Sequence, residues 1–159
     1  PGAPTRRTAL LGMLALDEEL EEARLTADEL LRTAFVSGTT VGGMDQSERY
    51  YPDFLANDTR NAYIALHDCG ASTELIADRF GRFGFVATPS TACSSALNAI
   101  LPGADFLRIG AFASVVPGAS QSPTNIPLHA FTALMLLDRD PFRPCYHSHT
   151  LLHPAHLAA

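Results

Sequence analysis

The sequence predicts an α/β layered domain, and two observations carry that expectation. Three apolar segments rich in β-branched and aromatic residues, 33–41, 83–90 and 112–119, recur along the chain, each leaving into glycine, proline or small residues. Stretches with helical periodicity separate them. Strands alternating with helices select a mostly parallel or mixed sheet with helices packed against it.

The elements follow in order. ALLGMLALDEELEEAR, 9–24, reads as a helix. Leu10, Met13, Leu14 and Ala15 lie close to one face, and Glu18, Glu19, Glu21 and Glu22 follow on a solvated stretch. LTADELLR continues it or starts another turn, with Thr26 as N-cap and Glu29 three residues on. In TAFVSGTTVGGM, 33–44, Ala34 to Val36 is a short strand-like run ending in Ser-Gly, and Thr39 to Val41 is a second, ending in Gly-Gly. Paired glycines admit positive φ or close approach of the backbone. No Lys-Ser/Thr follows, which excludes a phosphate loop.

Residues 45–61 are polar with interleaved aromatics and a proline, and read as a loop or short helices. The segment 62–81 is helical in part, with Gly81 and Gly84 bracketing its end. His67, Asp68 and Cys69 are adjacent in it. Neighbours on a helix point about 100° apart, so the three form a packed polar cluster rather than a triad. ALNAILPGADFLRIGA, 96–111, reads as a helix broken near Pro102-Gly103, and HAFTALMLLDRDP, 129–141, as a short helix closed by Pro141.

Composition narrows the function classes. At 159 residues the chain fits one domain or a piece of a larger one, and 47% hydrophobic content suffices for a core. A net charge of −6 argues against nucleic acid as a partner. No run reaches the roughly 18 apolar residues of a membrane span. PGAPTRRTALLG lacks the order of regions found in a signal peptide, and the absent initiator Met suggests that preceding residues are cut off. Cys69, Cys93 and Cys145 are odd in number and widely spaced, which fits free thiols in the cytoplasm.

The chemistry concentrates in TPSTACSSALNAI, 88–100. A strand that ends in small residues and turns straight into a helix exposes the residue at the corner, here Cys93. Unpartnered N–H groups at a helix start carry partial positive charge and favour a thiolate. Thr91, Ala92, Ser94 and Ser95 are small, so a substrate can reach the sulfur. A buried, inert cysteine is the alternative reading of the same pattern.

STACSSALNAI resembles the active-site signature of the β-ketoacyl synthases, the condensing enzymes of fatty acid and polyketide synthesis within the thiolase-fold superfamily. FVSGTTVGGM, DRFGRFGFVATPSTACSSA, GAFASVVPGAS and FTALMLLDRDPFRP resemble successive segments of the same family, over roughly residues 8–144. The resemblance implies the N-terminal half of a thiolase-like layered fold, a mixed sheet flanked by helices, with residues 1–144 as an incomplete domain. It implies Cys93 as the acyl-accepting nucleophile of a 3-oxoacyl-[acyl-carrier-protein] synthase. The Cys93 N–H serves as one oxyanion donor, an acyl carrier protein as partner, and a homodimer or synthase partner chain as assembly. No metal or organic cofactor is required. Arg49 and Arg60 are candidates for a basic patch facing the acidic carrier.

The departures are equally specific. The family's two histidines and lysine come from a second half, which has no counterpart here, and neither has the first strand. Pro117, Ala119, Ser120 and Gln121 stand where Gly-Gly-Ser-Glu is expected, and Arg143-Pro144-Cys145 where Arg-Pro-Phe-Asp is expected. Residues 145–159 leave the family pattern and hold Cys145, His147, His149, His153 and His156. H-x-H and H-x-x-H spacings suit zinc, but a tail that is not native to the fold accounts for them more simply, and no metal site is assigned. A partner subunit that only binds a synthase is the alternative function; such subunits tend to lack the cysteine.

Overall fold

A computed structural model of the chain describes residues 7–58 and 67–137. Its elements are α1 (Arg7–Ala23), α2 (Ala27–Leu30), β1 (Thr33–Gly38), α3 (Met44–Asn57), α4 (Cys69–Phe80), β2 (Phe85–Ala87), a 3₁₀ turn (Ala92–Ser94), α5 (Ser95–Arg108), β3 (Ser114–Ala119) and α6 (Asn125–Ala133). The three described strands run parallel in the order β2-β1-β3. In register, Phe35 lies beside Val86 on one side and Val116 on the other.

Every residue of the central strand β1 is buried. Its side chains alternate between faces. Phe35 points into a core made with Ala9 and Leu16 of α1 and Ile76 and Ala77 of α4; Val116 packs against the same cluster. On the opposite face α5 lies along β1 and β3. Helices therefore cover both faces of a parallel sheet, as the strand–helix alternation predicts.

Local chemistry explains the element boundaries. Thr26 and Glu29 form a reciprocal capping box that starts α2 as a separate helix, with Thr26 N and Oγ1 donating to Glu29 Oε2 at 2.8 and 2.7 Å. Those two bonds, the backbone one first, hold the Glu29 carboxyl below the ordinary carboxylate range.

Several expectations are corrected. Strand β1 ends at Gly38 rather than at 41, because Thr39–Val41 already turns toward α3. The strands placed at 83–90 and 112–119 shorten to 85–87 and 114–119. Residues 45–57 are neither a loop nor several short helices. They belong to one helix, α3, that runs through Pro52, with the Tyr51 and Phe54 rings 5.9 Å apart on its surface. Helix α5 is not broken at Pro102-Gly103 but continues to Arg108. Ser95, Ala99 and Gly103 make its buried stripe, and a β-carbon on Gly103 would stand 2.8 Å from Val115 Cγ1. The glycine thus lets helix and strand approach, and this packing outweighs the backbone bond that Pro102 removes.

On α1 the buried side is Thr8, Ala9 and Leu16, with Met13 and Leu20 partly covered, whereas Leu10 and Leu14 are exposed. The helix is rotated toward α4 by about one position from the face read off the leucines. Helix α6 begins at Asn125, earlier than expected, where Glu48 caps its first turn, and it ends at Ala133. The predicted stop at Pro141 lies outside the described residues.

Candidate active site

The three segments that meet at Cys93 come from the C-terminal ends of β1 and β2 and from the start of α5. After β2, the chain is tied back to its neighbours: Thr88 Oγ1 donates to Thr73 Oγ1 on α4 at 2.7 Å, and Pro89 O accepts from Thr39 N at 3.3 Å. The backbone then enters the left-handed region at Ala92, φ 52°, a conformation that L-residues other than Gly, Asn and Asp seldom adopt. Cys93 follows as an exposed, free thiol inside the 3₁₀ turn, and α5 begins two residues later. This is the corner that the sequence pattern predicts. Cys93 is exposed rather than buried.

A hydroxyl network surrounds the corner. Ser95, itself buried, accepts Thr91 N at 2.9 Å through Oγ and donates that hydroxyl to Ala92 O at 2.8 Å. Thr40, from the turn after β1, donates its hydroxyl to the same Ala92 carbonyl at 3.0 Å. Ser94 Oγ bonds Thr91 O at 2.7 Å, and Asn98 Nδ2 donates to Thr91 Oγ1 at 2.7 Å. Among the described residues no acceptor is bonded to the Cys93 amide.

His67, Asp68 and Cys69 do not form a triad, as expected, but neither do they form the packed cluster read on a helix: the helix begins only at Cys69, and each side chain has its own partner. His67 Nδ1 lies 2.9 Å from Ser47 Oγ, Asp68 Oδ1 accepts Gly70 N at 3.1 Å as the N-cap of α4, and Cys69 Sγ contacts Thr40 O and Ser90 Oγ at 3.7 Å each. Arg49 is exposed on helix α3 rather than on a loop, its guanidinium 5.5 Å from the centre of the Tyr50 ring. Arg60, Cys145 and the tail histidines lie outside the described residues. Among the described residues no three His, Cys, Asp or Glu side chains gather as a metal site, and no helix is long and apolar enough to cross a membrane.

Sequence reasoning singled out Cys93 and missed Thr40 and the inward role of Ser95. The available signal was a hydroxyl two residues after the cysteine.

A parallel sheet covered on both faces by helices defines an α/β protein, and its superposition on solved ketosynthases gives it the thiolase-like fold. The chain belongs to the β-ketoacyl synthase family: the family's N-terminal domain matches residues 5–149. It is 30% identical over 148 residues to nodulation protein E of Rhizobium meliloti, covering 87% of this chain and 36% of that protein. Nodulation protein E of Rhizobium sp. strain N33 matches equally, at 30% with the same coverage. The fold superposes on a β-ketoacyl synthase from Burkholderia phymatum with a TM-score of 0.75 at 16% identity, over 92% of this chain and 39% of that one. It also superposes on AntDE:AntF, a type II polyketide acyl-carrier protein in complex with its ketosynthase, with a TM-score of 0.71 at 18% identity, over 89% and 37% of the two chains. The chain thus spans just over a third of the length of these relatives.

Proposed function

We propose that this chain supplies the nucleophile half of a condensing acyltransferase, and that Cys93 carries the acyl group. The observation that supports this most directly is the exposed Cys93 thiol set behind the left-handed Ala92 at the start of α5. In the first half-reaction the Cys93 sulfur attacks the carbonyl of an acyl thioester. A new S–C bond forms, the carrier's S–C bond breaks, and the proton lost by Cys93 ends on the departing carrier thiol. The Cys93 N–H donates to the oxyanion that develops. In the second, a malonyl thioester loses carbon dioxide, its α-carbon bonds to the acyl carbonyl carbon, and Cys93 leaves as thiolate and is reprotonated. The product is a 3-oxoacyl thioester. The first half-reaction is the one that Cys93 and its own amide serve directly.

An acyl carrier protein fits as the thioester donor, by analogy with the ketosynthase neighbour that is complexed with one. Arg49, exposed on α3, offers positive charge toward an acidic carrier. A homodimer with β2 near the two-fold axis is the assembly that fits; Phe85 and Val86 are 38% and 37% exposed on that strand, which among the described residues pairs with β1 alone.

Incubation with hexanoyl-coenzyme A followed by peptide mass spectrometry tests the reading. One hexanoyl adduct is expected, on Cys93 and not on Cys69 or Cys145, and absent from Cys93→Ser. An unmodified Cys93 overturns the assignment.

A further inference from the structure

We infer that Thr40 and Ser95 are positioning residues that lock the Ala92–Cys93 peptide plane, so that the Cys93 N–H is presented to the oxyanion. The inference rests on the acyl-enzyme reading and adds to it the device that holds its oxyanion donor in place.

The geometry is that of a single peptide unit. The C=O of Ala92 and the N–H of Cys93 share one plane and point in opposite directions. Fixing the carbonyl therefore fixes the amide. Three donors converge on Ala92 O: the Ser95 backbone N–H, Ser95 Oγ at 2.8 Å and Thr40 Oγ1 at 3.0 Å. A hydroxyl has one proton, so with both hydroxyls aimed at the carbonyl, the 3.4 Å separation of Thr40 Oγ1 and Ser95 Oγ is a packing contact. On the near side of the bend, the Thr91 N–H is held by Ser95 Oγ at 2.9 Å. Ser95 thus grips the chain before and after Ala92, while Thr40 grips it from another element, 52 residues away in sequence.

Such a hold is needed because Ala92 has a β-carbon and sits at φ 52°. A non-glycine residue in that region costs on the order of 1–2 kcal/mol and relaxes when its surroundings allow. Relaxation rotates the peptide unit and swings the Cys93 N–H away. The sulfur stays on the surface in either case, so loss of the hold separates two properties of Cys93: simple nucleophilicity persists and oxyanion stabilisation is lost.

Two reactions of the same sulfur read that separation. Alkylation by iodoacetamide is a direct displacement with no oxyanion. Acylation by hexanoyl-coenzyme A passes through one. Removing a whole oxyanion donor costs about 10²–10³-fold in rate. Ser95→Ala and Thr40→Val, each of which leaves the Ser95 backbone N–H in place, should slow Cys93 acylation by roughly tenfold or more. Alkylation of Cys93 and its pH profile should change less than about threefold, and Ser95→Thr and Thr40→Ser should restore most of the acylation rate. Thr40 is exposed, so its variant keeps the test valid if Ser95→Ala folds poorly. Acylation at the wild-type rate in both hydroxyl-deletion variants overturns the inference and leaves the acyl-enzyme reading standing. Parallel loss of acylation and alkylation also overturns it, since that is the mark of general disorder. No acylation of wild-type Cys93 overturns both.

Discussion

Gly38, the last residue of β1, backs directly onto the Ser95 carbonyl at the start of α5: a β-carbon at 38 would stand 2.5 Å from that oxygen and 2.7 Å from its carbon. Both obstacles are backbone, which a side-chain rotation cannot relieve. Gly38→Ala should therefore push the first turn of α5 off the sheet. Overpacking of this kind costs about 1–3 kcal/mol. We expect a denaturation midpoint lowered accordingly and Cys93 acylation reduced more than tenfold. Wild-type stability and acylation would show that strand and helix are not in this contact.

Glu48 joins two helices that are remote in sequence. Its carboxylate, on α3, accepts the Asn125 N–H at 2.9 Å and the Ile126 N–H at 2.6 Å, both in the first turn of α6. A carboxylate at a helix N-terminus contributes about 0.3–1 kcal/mol, and up to ~2 in a partly buried site. Glu48→Ala should lose about 1 kcal/mol and increase amide exchange across residues 125–133 before any other helix. Unchanged exchange there would remove Glu48 as the cap.

The Glu29 carboxyl titrates below its unfolded value because the charged form takes two bonds from Thr26. A depressed folded-state pKa contributes stability that is fully present above the ordinary carboxylate range. It is lost as pH falls through the lowered value. Glu29→Gln should thus be less stable than wild type at neutral pH, with the difference shrinking in acid. A gap independent of pH would mean that the charged box does not form.

Helix α5 is apolar on the side turned away from the sheet as well, with Leu97 66% and Leu101 61% exposed; Met135, just beyond α6, is 80% exposed. Apolar patches of this kind drive association. The 159-residue chain should sediment as oligomers or aggregates, or stay dispersed only with a partner segment. A monodisperse monomer with one cooperative unfolding transition would contradict this.

These relationships show what the sequence could disclose. The three strand cores, the Thr26–Glu29 box and the corner at Cys93 were legible because each is written in neighbouring residues: β-branched runs, a hydroxyl and an acid three apart, small residues before a helix. Pro52 and Pro102 misled because a local breaker was weighed without the tertiary contacts that carry α3 and α5 past it. The rotation of α1 escaped for a similar reason, since Leu10 and Leu14 mimic a core face that Ala9 and Leu16 occupy. Thr40 could not be paired with Ala92 by any local rule, because the partnership exists only once β1 and α5 share the sheet.

The left-handed bend at Ala92 makes the shape of the corner depend on a contact that is remote in sequence. Part of its hold comes from outside β2 and α5, since Thr40 reaches Ala92 O from the turn after β1. If Cys93 carries the acyl group as proposed, a thermal fluctuation that merely parts Thr40 from the corner would lower its acylation while the sheet and its helices remain intact.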